Sequence, residues 1–126
     1  MAEDPLLTDG PSLVQSPGGS LFMLWSSFGD EGYAMGVAVS ESGGILGPWA
    51  QNDEPLWARN GGHGMILRGS AGVDYLAFHT PNDTPRERAT LIPVEVTDRG
   101  VALTPEYSTP APHGDPAKRT SAAPTA

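Results

Sequence analysis

The sequence predicts an all-β chain followed by a tail with little to bury, and three observations predict it. The apolar runs are of strand length and stop at Gly, Pro, Asn or Asp. None repeats at the 3.6-residue spacing of an amphipathic helix. Two long stretches also align on each other, as repeated β units do.

The elements follow in order. Residues 20–28 (SLFMLWSSF) form the strongest strand, and residues 33–40 (YAMGVAVS) return beside it. Gly29-Asp30-Glu31-Gly32 between them is a hairpin turn. Gly47-Pro48-Trp49 opens a short outer strand. Residues 64–68 (GMILR), 73–80 (VDYLAFHT) and 89–96 (ATLIPVEV) repeat the rhythm. Pro93 lacks an N–H for a sheet ladder, which predicts an edge strand or a bulge there. Residues 104–126 are rich in Pro, Ala, Thr and Ser and read as a disordered tail, separate from a folded part over residues 1–103. Trp25 is expected in the core, and Trp49 and Trp57 between β units.

The repeat aligns residues 9–26 with residues 63–80, without gaps, at a spacing of 54 as from Asp9 to His63. Leu13 then matches Leu67, Gly18 matches Gly72, Phe22 matches Leu76, Leu24 matches Phe78 and Ser26 matches Thr80. A period of about 50 residues with several strands per unit is the signature of propeller blades, each a four-stranded sheet. A blade cannot cover both of its faces, and two blades do not close a propeller.

Composition bounds the partners. The formal net charge is -8, with only 7 Lys and Arg. Phosphate binding needs basic residues to release counterions, so nucleic acid and anionic membrane surfaces are excluded as partners. A neutral ligand such as a sugar suits this balance. There is no cysteine, hence no disulfide and no thiolate metal site. No run reaches the roughly 20 apolar residues of a membrane-spanning helix, and the first residues lack the pattern of a signal peptide. Phosphate loops, zinc-ligand spacings and nucleophile elbows are also missing.

Several residues carry candidate chemistry. Asp9 precedes Gly10-Pro11, and on its own Asp-Gly reads as a turn. His63 stands between Gly62 and Gly64, small residues that suit close backbone approach. Phe28 and Tyr33 flank the hairpin turn and offer aromatic faces to a sugar ring. Arg88, with Arg86 two residues before it, offers a fork of donors for vicinal hydroxyls; a solvated loop charge is the plainer reading. His79 reads as a hydrogen bond between strands.

The run from Thr8 to Trp49, with its acid-Gly-Pro start, its Trp-Ser strand end and SESGGILGPW, resembles the fourth blade of glycoside hydrolases of family 43. These are the arabinanase, arabinofuranosidase and β-xylosidase relatives. The run from Gly61 to Val96, with GGHGM and HTPN, resembles their fifth and last blade. The resemblance implies a partial five-bladed β-propeller whose first three blades are not in this sequence. It implies an inverting glycosidase acting on arabinose- or xylose-containing polysaccharides or oligosaccharides.

By the same resemblance Asp9 takes the place of the general acid, where the family usually has Glu, and Glu3 is a weaker claimant. His63 faces an axial channel and takes part in binding calcium or a similar cation, often through water, or hydrogen-bonds there without metal. Arg88 reaches the sugar. The base and a further carboxylate come from the missing blades, so the chain alone is expected not to turn over substrate. Other readings are a carbohydrate-binding module without chemistry, and an interaction protein that pairs through its open blades. Missing blades or self-association would cover the open faces.

Overall fold

The computed structural model describes residues 7–108. Eight strands form two four-stranded antiparallel sheets. The first contains β1 (Asp9–Gln15), β2 (Leu21–Gly29), β3 (Gly32–Ser40) and β4 (Trp49–Gln51), hydrogen-bonded in that order. The second contains β5 (Gly62–Arg68), β6 (Asp74–Thr80), β7 (Arg88–Thr97) and β8 (Gly100–Leu103), again in chain order. A 3-10 turn over Ser70–Gly72 lies between β5 and β6, and one helical turn, α1 (Pro105–Ser108), follows β8.

Local sequence explains the meanders. Residues 30 and 31 make a two-residue hairpin, with Gly29 opposite Gly32 and Gly32 at φ 100, a value few side chains tolerate. Along β2 and β3 burial alternates with the pleat. Phe22, Leu24 and Ser26 point inward on β2, and Tyr33, Met35 and Val37 on β3. The second sheet supplies Leu76, Phe78, Ile92 and Val94 to the same core. Leu24, Met35 and Leu76 have no exposed surface, and burying such a side chain contributes about 1.5–3 kcal/mol. The edge strand β5 packs against β1, β2 and β3 of the first sheet.

The two sheets repeat one plan, at a spacing of 53 residues and not 54, as from Ser16 to Gly69. Ser16 N–H donates to Ser20 O at 2.9 Å, and Gly69 N–H donates to Val73 O at 2.8 Å. Gly19 and Gly72 both have positive φ, as do Gly10 and His63 at φ 55 and 58. The register shift between Asp9 and Ser12 recurs between Gly62 and Met65. The spacing of 54 matched apolar letters because the sheets stack front to back. A one-residue shift in a strand moves to its other face. The inward residues Phe22 and Leu24 are therefore matched in letters by Leu76 and Phe78, which lie on the opposite face of the equivalent strand.

Three expectations need correction. The β7 strand is internal, between β6 and β8, although Pro93 lies within it opposite Tyr75. Thr104 N–H reaches Pro93 O, so this side of Pro93 faces the β8 side of the strand. β8 has ended there at Leu103, and no ladder bond is lost. Trp25 is half-buried outside the core cluster, its Nε1–H donating to Gln51 Oε1 at 2.6 Å. The ordered chain also runs past Leu103. Tyr107 of α1 packs against the core, and its carbonyl accepts from Arg59 Nη2 at 3.3 Å. The remainder of the expected tail, residues 109–126, lies outside the described residues, as does Glu3. Trp57 does pack between the sheets, edge-on to Phe78 at 4.7 Å, and Trp49 bonds locally to Ile45 O. No helix among the described residues is long and apolar enough to cross a membrane.

Candidate functional site

Asp9 and His63 lie at the starts of the edge strands β1 and β5, and the stacking of the sheets sets them side by side. His63 Nδ1 lies 3.8 Å from Asp9 Oδ2, and the two side chains are 58% and 48% exposed. The approach depends on glycine. The His63 ring lies over Gly10, where an added Cβ would sit 3.0 Å from it. At Gly62 a Cβ would come within 2.8 Å of both Ser26 Oγ and the Tyr33 ring. At Gly64 it would come within 2.6 Å of Met35 Sδ. The crowding expected around Gly62 and Gly64 is present, against side chains of the first sheet.

Beneath the carboxylate is a buried support. Tyr33 is 3% exposed, and its hydroxyl donates to Asp9 Oδ2 at 3.0 Å. Asp9 Oδ1 accepts from Gly10 N–H at 3.0 Å. Burial, then the hydrogen bond to Asp9, pushes the Tyr33 phenol above its ordinary value, which keeps it a donor. The Tyr33 ring lies between Phe28, tilted at 5.3 Å, and His79, stacked at 5.8 Å. Tyr33 therefore has no open face for a sugar and positions Asp9 instead. Phe28 is half-buried at the rim.

Residues not singled out by the sequence hold this support together. Ser26 is fully buried, and its Oγ accepts the His63 N–H at 2.8 Å. Asn60 adopts φ 57, a left-handed conformation that asparagine enters more readily than most residues. Its Oδ1 accepts from Tyr33 N–H at 3.1 Å, and its carbonyl accepts from Asn82 N–H at 2.9 Å and from Thr80 Oγ1 at 3.1 Å. His79 Nε2 lies 2.8 Å from Asn82 Oδ1 in the loop after β6, so its bond goes to that loop and not to another strand. An Asn in an αL corner is a visible sequence signal only once the corner is known.

Asp9, His63, Tyr33 and Phe28 thus come together. Arg88 pairs with Thr80 at the start of β7, is exposed, and donates from Nη1 to Glu87 O at 2.8 Å. Calcium takes six to eight oxygen ligands. Among the described residues no three His, Cys, Asp or Glu side chains gather as a metal group, and only the Asp9 carboxylate stands beside His63. These residues do not by themselves form a calcium cage. The site offers one accessible carboxylate, braced from below, with an imidazole beside it.

No protein-family model and no curated protein matches the chain. Solved structures do. An endo-arabinase from Bacteroides thetaiotaomicron is 40% identical, with a TM-score of 0.68, over 73% of this chain and 33% of that one. A thermostable family-43 glycoside hydrolase and an alpha-L-arabinofuranosidase from Lactobacillus brevis are 20% and 23% identical, with TM-scores of 0.64 and 0.63. Each is covered over 39% of its length and 86% of this chain, and at that identity they speak to the fold alone. The chain spans about one third of the length of the endo-arabinase. The resemblance read from the sequence is borne out, and the chain is a relative of the family-43 glycoside hydrolases.

Proposed function

We propose that the chain supplies two adjacent blades of a five-bladed β-propeller glycoside hydrolase. Its substrates would be arabinose- or xylose-containing polysaccharides or oligosaccharides. The observation that carries this reading is the meeting of Asp9, His63 and Tyr33 where the edge strands β1 and β5 begin, in a chain 40% identical to an endo-arabinase. The front-to-back stacking of two equivalent sheets also supports blades over a closed sandwich.

In this reading Asp9 gives its proton to the leaving glycosidic oxygen as the glycosidic carbon–oxygen bond breaks. Water attacks the sugar from the opposite face and loses its proton to a second carboxylate, about 6.5–9.5 Å from the first. That base belongs to a blade outside this chain. Tyr33 and Gly10 N–H fix the Asp9 carboxyl, and Phe28 and Arg88 contact sugar at the rim. His63 faces the axis. A cation bound there would be held chiefly by oxygens of other blades, and its charge would steady that channel.

A chimera tests the assignment. Residues 7–103 replace the matching segment of the endo-arabinase, and release of reducing ends from arabinan is measured, with folding checked by circular dichroism. The chimera is expected to hydrolyse arabinan, and Asp9→Asn to slow it by about 100-fold or more. Asp9→Glu, which restores the longer acid, should at least retain the rate. The chain alone should release no sugar. An Asp9→Asn chimera as fast as its parent, or turnover by the chain alone, would overturn the reading. Sugar binding by the chain alone without turnover would favour a carbohydrate-binding module instead.

A further inference from the structure

Among the described residues each sheet buries one face and leaves the other uncovered, and the uncovered faces are not ordinary surface. In the second sheet, Leu67, Tyr75 and Leu91 share the outer face, with Leu67 and Leu91 40% and 60% exposed. By the 53-residue equivalence and the shared cross-strand pairing, these positions correspond to Val14, Phe22 and Val37 of the first sheet. Those three are buried in the contact between the sheets. The converse holds on the other side. Leu13, Met23 and Trp25 on the outer face of the first sheet correspond to Ile66, Leu76 and Phe78, which pack inward from the second.

The two outer faces are therefore apolar counterparts of the two faces that already fit one another inside the chain. Because the stacking runs front to back, this contact is heterologous. The outer face of the second sheet matches the outer face of the first, and neither matches itself. We infer that the chain by itself, with no further blades on these faces, associates head to tail with copies of itself, the second sheet of one copy packing on the first sheet of the next. The inference rests on the equivalence of the sheets; in the propeller of the proposed function, further blades would occupy these same faces in place of the copies. The formal net charge of -8 per chain opposes the contact, so added salt strengthens it by screening.

Sedimentation velocity of the full chain over a range of concentrations is the test. The expected result is a species of two or more copies that dissociates on dilution. Leu13→Glu and Leu91→Glu each place a charge on one exposed outer face, and each alone should weaken assembly by at least about tenfold. Mixed together they should recover one contact, because the second sheet of the Leu13→Glu chain and the first sheet of the Leu91→Glu chain are both intact. A self-matching contact would not be recovered this way.

A second measurement does not depend on charge. Gly64 approaches Met35 within the chain, and the equivalent positions on the outer faces are Pro11 and Ala89. The chain has no cysteine, so Pro11→Cys in one copy and Ala89→Cys in another provide the only thiols. They should cross-link in a mixture, and neither variant should cross-link to itself. A chain that stays monomeric at all concentrations, glutamate variants that assemble like the parent, or a mixture without cross-links would each overturn the inference.

Discussion

Gly62→Ala probes the approach of the two sheets that builds the site. Gly62 is not in the left-handed region, so alanine fits its backbone and the cost is steric. The new methyl would lie 2.8 Å from Ser26 Oγ and 2.8 and 2.9 Å from Tyr33 Cε2 and Cδ2. Neither neighbour can retreat easily. Ser26 is fully buried and holds the His63 N–H, and the Tyr33 ring is flanked by Phe28 and His79. Overpacking of this kind costs about 1–3 kcal/mol. Alanine recovers about 0.4–1 kcal/mol by restricting the unfolded chain, leaving a net loss of about 0.5–2 kcal/mol. For a domain of this size each kcal/mol moves Tm by about 4–8 °C. Gly44→Ala is the control, since its methyl would meet only Ser42 Oγ at 3.5 Å. Urea unfolding followed by circular dichroism, at one protein concentration, compares the two. If Gly62→Ala is as stable as Gly44→Ala, the close approach at Gly62 is not what positions β5.

Further outcomes follow from the same contacts. Ser26→Ala strands the His63 N–H and should cost about 1–3 kcal/mol in urea unfolding; a loss below a few tenths would place that N–H in water. Tyr33 has its pKa raised by burial and by the bond to Asp9, so its stabilising contribution is complete below its ordinary value near 10 and is lost as pH rises through the raised one. Tyr33→Phe should therefore lose stability less steeply with alkaline pH than the parent, and equal slopes in the two would remove Tyr33 from the account. Calcium should leave the Tm of the chain alone unchanged; a rise with calcium that His63→Ala abolishes would show that these residues suffice to hold it.

Strand content was legible where alternation is unbroken, as in β2 and β3, and where glycines mark the turn between them. β8 was not, because four residues, Gly100–Leu103, carry too little alternation to register. The placing of Asp9 and His63 on one site came from the family resemblance; in the structure His63 is the counterpart of Gly10, and Asp9 that of Gly62. The role of Tyr33 was not legible, because a ring beside a loop reads alike whether it faces solvent or is sealed between Phe28 and His79. Arg88 is the converse case. Its residue type suits sugar hydroxyls, but its place is set by the pairing of β7 with β6, which bears no mark in the residue itself.

The inner faces of the strands also explain why the site lies at this end. Along β2 the inward positions run Phe22, Leu24, Ser26, and along the opposed β3 they run Val37, Met35, Tyr33. On β6 they run Leu76, Phe78, Thr80. Each row begins in hydrocarbon and ends in a hydroxyl. A buried hydroxyl needs a partner, and these find theirs in His63 N–H, Asp9 Oδ2 and Asn60 O. The apolar core thus gives way to polar groups at the end where β1 and β5 begin. A serine, a tyrosine and a threonine in the buried phase of three strands are a pattern that sequence alone contains. Read with the pleat, it points to the polar end of the stack.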